Sequence, residues 1–154
     1  MDKISNIAKV SDAVFLQMCD SIYSTYQYHS YSANTFEHVD FEITATTKNN
    51  RTVILTAETK LRHVNPKDFN SIYFEEYKYK NMLLHREEHY PNRKYYYVSI
   101  YPIFRTVIFF DIDKIKENNL QPHTKRGELN NVTNIKVNKQ IYEIPYELCY
   151  IKEY

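Results

Sequence analysis

Glycine is almost missing from this chain. Gly127 is the one example in 154 residues. A loop that cradles phosphate with its backbone needs several glycines at fixed spacing, so nucleotide-binding folds of that kind are excluded. Tryptophan is absent. The two cysteines, Cys19 and Cys149, form neither a disulfide framework nor a metal-ligand cluster, and are expected as buried free thiols. No apolar run approaches the length of a membrane span. The N-terminus has no apolar segment followed by a cleavage site. The expectation is therefore a cytoplasmic protein with no membrane partner. Charge of one sign is also lacking, since the formal net charge is +1. Nucleic-acid binders often carry more, which argues against a strong binding module. It leaves a nuclease open, because an acidic metal site offsets basic patches.

What is present is tyrosine, sixteen residues of it. Tyrosine can stack on bases or bond phosphate. Asn, Lys and Ile are abundant as well, so a compositional habit is the first reading. The length suits one domain, residues 1–154, with a proper core.

The most informative stretch is Val39 to Arg62, VDFEITATTKNNRTVILTAETKLR. His38–Thr46 and Arg51–Lys60 are rich in Val, Ile, Thr and Phe and read as two strands. Lys48-Asn49-Asn50 lies between them, and Asn tolerates the left-handed region a tight reversal needs. A two-residue loop, Asn49-Asn50, would pair Lys48 with Arg51 and set Asp40 opposite Thr59. A three-residue loop would pair Thr47 with Arg51, set Asp40 opposite Glu58 and Glu42 opposite Thr56. The second register is preferred, with Asn50 as its left-handed residue. Glu58 and Lys60 share a face in either register; only the second adds Asp40, and a bulge could achieve the same.

Two carboxylates held close together repel, and a hard divalent cation relieves the repulsion. Mg²⁺ takes oxygen ligands and leaves places for water and phosphate. Asp40 and Glu58 are candidate ligands, with the carbonyl of Thr59 a third. Lys60 would stand beside the attacking water and stabilise developing negative charge. Desolvation would lower its pKa and let it take a proton, although nearby carboxylates push the other way.

This pattern resembles the PD-(D/E)xK nuclease superfamily, with its restriction-endonuclease-like fold. The motif falls on Asp40 and Glu58-Thr59-Lys60; the proline is replaced by Val39. The resemblance spans roughly Ala8 to Ile115. It implies an α/β (α+β) domain with a central mixed sheet, a hairpin carrying the active site, and flanking helices. It implies a hydrolase of phosphodiester bonds in nucleic acid, DNA before RNA, with Mg²⁺ or Mn²⁺ as cofactor. Asp40, Glu58 and Lys60 would be catalytic. The resemblance allows a homodimer or a larger nucleic-acid processing complex, although no coiled-coil seam is visible.

Ser11 is a candidate cap for a helix running to about Tyr28, with Val14, Phe15, Met18, Ile22 and Tyr26 on one face; residues 1–10 read as a lead-in. Family members often add an acidic residue from this helix. Asp20 and Asp12 are the candidates, with Gln17 the polar alternative. Glu42 is a further accessory candidate. Asn65-Pro66-Lys67-Asp68 reads as a turn, and Asp68 or Ser71 as the cap of a second helix running to about Glu88. The resemblance puts a Glu and a Lys of that helix at the site: Glu76 and Lys80 first, Lys78 next. Candidate phosphate contacts are Arg62, Lys67, Lys125 and Arg126. Two strands, Arg93–Tyr101 and Arg105–Phe110, and a short helix near Asp111–Asn118 follow, with Asp113 its candidate cap. Asp111 is read as structural. Residues 119–131 read as a loop, and 133–150 as two short strands turning at Asn138-Lys139.

His85-Arg86-Glu87-Glu88-His89 matches an inverted zinc-protease signature. The third ligand such a site needs is not evident downstream, so helix-end histidines facing the dipole are preferred. The alternative to a nuclease is the same fold without catalysis, acting as a nucleic-acid binding or complex-assembly subunit.

Overall fold

The computed structural model describes residues 3–30, 39–129 and 136–154, apart from the side chains of 3–11, 126–129 and 136–137. It is an α+β fold. A six-stranded mixed sheet carries one helix on one face; two helices and a three-stranded sheet cover the other.

The chain opens with α1, Lys3–Ile22. Residues from Lys3 are thus helical, and Ser11 lies inside the helix rather than capping it. Phe15, Met18, Cys19 and Ile22 recur at helical spacing and are buried together. The helix stops at Ile22, and Tyr23–Ser30 is a strand, β1. The expected helix to Tyr28 is therefore too long. Tyr, Ser, Thr and His favour a pleated edge over a helix interior, and Tyr26 extends the helical period only by coincidence.

The hairpin follows as β2, Phe41–Thr47, and β3, Thr52–Leu61. Its register pairs Phe41 with Ala57 and Glu42 with Thr56. Thr47 N–H donates to Arg51 O at 2.8 Å, and Asn50 adopts φ 60°. This is the three-residue loop with a left-handed third residue. Phe41, Ile43 and Ala45 alternate with Leu55 and Ala57 toward α1, and Phe15 stacks on Phe41 at 3.9 Å between ring centroids.

After a 3₁₀ turn at Pro66–Asp68, capped by the Asn65 side chain, comes β4, Ser71–Glu75. The second helix, α2, covers only Glu76–His89. The expected longer helix gives way because Ile72 and Phe74 alternate into the core while Tyr73 stays exposed, a strand pattern. Pro91 accounts for the helix stop. Strand β5, Tyr95–Tyr101, runs parallel to β3 and is buried along nearly its whole length, as a central strand covered on both faces must be. Strand β6, Thr106–Asp111, returns antiparallel. The short α3, Lys114–Glu117, follows. Asp113 sits at its N-cap position without a capping bond and pairs instead with Arg86 at 2.7 Å and Lys94 at 3.0 Å.

The expected polar loop is largely strand β7, His123–Leu129. The expected pair of short strands is one strand, β8, Lys136–Pro145, with Asn138 and Lys139 inside it; residues 133–135 lie outside the described ones. Strand β9, Tyr150–Glu153, completes the large sheet, whose order is β1-β2-β3-β5-β6-β9; the small sheet is β4-β8-β7. The core facing the small sheet holds Ile72, Phe74, Met82, Tyr95, Tyr97 and Phe110. Among the described residues no helix is long and apolar enough to cross a membrane.

Candidate functional site

The register decides which groups meet. Asp40 stands just before β2, and its N–H donates to Ala57 O at 2.8 Å, although Ala57 is already the partner of Phe41; two residues of this strand meet one of β3, as in a bulge, and the expected pairing of Asp40 opposite Glu58 is not a ladder pair. Side chains alternate along a strand, so Glu58 and Lys60 project away from α1, toward α2 and the small sheet. Asp40 Oδ2 accepts from Thr59 N–H at 2.8 Å and from Thr59 Oγ1 at 2.9 Å. Thr59, a candidate ligand through its carbonyl, thus also fixes the Asp40 carboxylate.

Glu58 lies under the first turn of α2. Lys78 Nζ donates to Glu58 Oε1 at 2.9 Å, with side-chain exposures of 22% and 15%. Burial raises the Glu58 pKa to about 7; Lys78 opposes the rise and the Asp40 charge adds to it. Burial pulls the Lys78 ammonium down, but Glu58 beside it carries the net shift upward. Lys60 stands more open. Desolvation, then the charges of Lys78 and Arg62, hold its ammonium below the usual lysine range, with Glu75 opposing and Lys139 adding. Lys60 makes no ion pair among the described residues.

The geometry selects among the other expected residues. On α2 it is Lys78 that reaches Glu58. Glu76 and Lys80 pair with each other at 3.3 Å, and Lys80 is exposed. Glu42 is held by Arg93, which also stacks over Tyr90 at 3.6 Å; this carboxylate ties the α2–β5 connection to the hairpin. Asp20 bonds the Tyr26 hydroxyl. It belongs to the last turn of α1, which joins β1 opposite Thr47, the far end of the hairpin from Asp40. Asp12 instead accepts from Ser30 at 3.0 Å, and Ser30 pairs with Phe41 beside Asp40.

The expected phosphate contacts divide in the same way. Arg62 donates to Ser99 Oγ at 3.1 Å, Tyr97 Oη at 3.1 Å and Tyr73 O at 2.9 Å. It brings positive charge to the end of β3 but is fixed to neutral acceptors. Lys67 is exposed on the 3₁₀ turn. Lys125 sits over the Tyr73 ring at 4.0 Å. Arg126 lies in β7 at a register shift, and its side chain lies outside the described residues. Asp111 pairs with Lys94 at 3.0 Å. Its register partner is Tyr96, itself level with Ala57, in line with the α1 side of the sheet. His85 is buried with Nδ1 2.6 Å from Tyr95 Oη, and its ring lies 4.5 Å from that of His89.

Glu75 was missed. It ends β4 and caps α2 by position, lies 3.6 Å from Lys139, and leaves Oε2 buried without a hydrogen-bond partner. A strand that ends as a helix begins could have singled it out, had β4 not been merged into the helix.

A hard cation can be tested against this donor set. The hydrogen bonds of Asp40 use Oδ2 and the hydrogen bond of Glu58 uses Oε1, which leaves each carboxylate one oxygen for a monodentate bond. Two hard oxygens and a carbonyl suit Mg²⁺ better than a soft metal. Among the described residues no three His, Cys, Asp or Glu side chains cluster as metal ligands, so the donor set is confined to these two carboxylates and the backbone. No family model matches the chain, and no curated protein is significantly similar to it.

Proposed function

We propose that the chain is a metal-dependent nuclease with a restriction-endonuclease-like fold, acting on phosphodiester bonds of nucleic acid, DNA first. One observation carries the reading: the Asp40 carboxylate is bonded by Thr59 and lies close enough to Glu58 to act on its charge, with Lys60 on the face of Glu58, at the end of the sheet where Arg62 and Lys78 add positive charge. The parallel step from β3 through α2 to β5, with helices on both faces of a mixed sheet, supports the same reading.

Asp40, Glu58 and the Thr59 carbonyl would hold Mg²⁺, which supplies charge neutralisation and acidifies water. Thr59 orients Asp40 through its N–H and hydroxyl. Lys78 fixes the rotamer of Glu58 and offsets part of its charge before a cation arrives. Lys60, whose pKa is held below the usual lysine range, would take a proton from the attacking water as the neutral amine, or as the ammonium stabilise charge on the phosphate oxygens.

The second reading is a nuclease-fold protein without catalysis, serving as a binding or assembly subunit. The Lys78 ammonium at Glu58 favours it, because that ammonium already occupies one cationic position beside the carboxylates.

The deciding experiment is a cleavage assay on single-stranded, duplex and branched DNA and on RNA, with Mg²⁺, with Mn²⁺ and with EDTA. Metal-dependent cutting is expected in wild type and lost in Glu58→Ala and Lys60→Ala with circular dichroism unchanged. Cutting that survives both substitutions would refute the proposed site. Binding without cutting, indifferent to Mg²⁺ and to Glu58→Ala, would establish the second reading.

A further inference from the structure

Beside the carboxylates lies a groove of about 460 Å³, lined by Glu75, Glu76 and Tyr77 from the β4–α2 junction and by Asn138, Lys139 and Gln140 from β8. Its volume is that of a small-molecule pocket, enough for one nucleotide and too small for a duplex. Tyr77 is 58% exposed. An aromatic ring left open on a helix is a stacking surface for any base. Glu75 lines the same groove and keeps one carboxylate oxygen buried with no donor. A buried acceptor without a donor is costly, and an exocyclic amino group of a base is a donor that Glu accepts. Asn138 and Gln140 add amide groups that can both donate and accept.

The groove adjoins the proposed active site. Tyr77 directly precedes Lys78, which bonds Glu58. Glu75 and Lys139 are both close enough to Lys60 to act on its charge. The acidic side chains in the lining are matched, Glu75 by Lys139 at 3.6 Å and Glu76 by Lys80 at 3.3 Å. The groove is thus lined by an exposed ring, a lysine and a carboxylate that keeps one oxygen unmet beneath the surface.

We infer that this groove seats an unpaired base of a single-stranded nucleic acid, stacked on Tyr77 with its amino edge toward Glu75, so that the neighbouring phosphodiester is led to Asp40, Glu58 and Lys60. The inference rests on the nuclease reading for the last step only. Base seating stands or falls by binding alone.

The test is fluorescence anisotropy in EDTA, where no cutting occurs, with labelled 15-nucleotide oligo-dC, oligo-dT and a duplex of the same length. Oligo-dC should bind more tightly than the duplex, and more tightly than oligo-dT, which has no amino group. Tyr77→Ala should weaken oligo-dC binding tenfold or more, while Tyr77→Phe should retain it. Glu75→Met, which keeps the length of the side chain and removes both acceptor oxygens, should erase the preference for dC over dT. Equal or tighter binding of the duplex, or undiminished binding by Tyr77→Ala, would overturn the inference. Tyr77 is exposed, so the fold survives its replacement. Loss of cleavage with Tyr77-dependent binding intact would refute the nuclease reading and leave base seating standing.

Discussion

Glu58 changes its charge near neutrality, so any cation it helps to hold competes with a proton. Its folded pKa, about 7, lies above the ordinary carboxylate value because burial disfavours the anion. Below that pH the proton must leave before a cation binds. Mg²⁺ affinity, followed by calorimetry, should therefore fall about tenfold per pH unit below the midpoint and level off above it. A pH-independent affinity between pH 5 and 8 would remove Glu58 from the ligand set. The stability sign is the reverse. A carboxyl group with a raised folded pKa contributes stability fully at low pH and loses it as pH rises through about 7. Lys78 offsets that loss. Lys78→Met keeps the stem and removes the ammonium, so at pH 8 it should destabilise the fold by about 2 kcal/mol. At about 2–4 °C per kcal/mol for a chain of this size, the melting temperature should drop by roughly 4–8 °C. At pH 5 the drop should shrink, because Glu58 is then neutral in both proteins. An equal drop at both pH values would mean that Lys78 supports the fold by packing and not by pairing.

At the scale of elements, α1 is held to the sheet by a few large contacts, chiefly Phe15 on Phe41, both fully buried. Phe41→Ala should destabilise by about 3–5 kcal/mol, measured by urea unfolding. The hairpin and the middle of α1 were legible in the sequence because apolar residues recur there at clean periods and because Asn50 marks the reversal. Strands β1 and β4 were not. Tyr26 falls four residues after Ile22 and imitates a helical face. Ile72 and Phe74 sit directly before true helix, so two periods run together. Strand β7 escaped for another reason, and β8 was read as two short strands instead of one. Their small sheet covers the core with one face only, so His123, Thr124 and Lys125 carry no apolar alternation, and Asn138-Lys139 looks like a turn although it is paired strand. The proposed site rests on its motif, and much of its surroundings was not legible in the sequence. Asp40, Glu58 and Lys60 are named by the motif and Arg62 by its place directly after β3, whereas the choice of Lys78 over Glu76 and Lys80, and the arrival of Glu75, depend on tertiary packing.

For the whole molecule, the two cores share strands. Val98, Ile100 and Val107 point toward α1, while Tyr95, Tyr97, Ile108 and Phe110 point toward the small sheet. Neither core can be removed without stripping a face from β5 and β6. Unfolding by urea should therefore be one cooperative transition, with far-ultraviolet circular dichroism and tyrosine fluorescence superimposing. Two separated transitions would mean that the small sheet melts on its own.

The parallel pairing of β3 with β5 has a consequence for synthesis. A polypeptide emerges from the ribosome N-terminus first, at roughly 5–20 residues per second. The hairpin with Asp40, Glu58 and Lys60 is exposed before the segment carrying Lys78, and β5 follows only after α2. During that interval the two carboxylates stand in water, without the burial that later shifts Glu58. The raised pKa of Glu58 is acquired only when the crossover closes over it, so its titration reports on that long-range step in building the sheet.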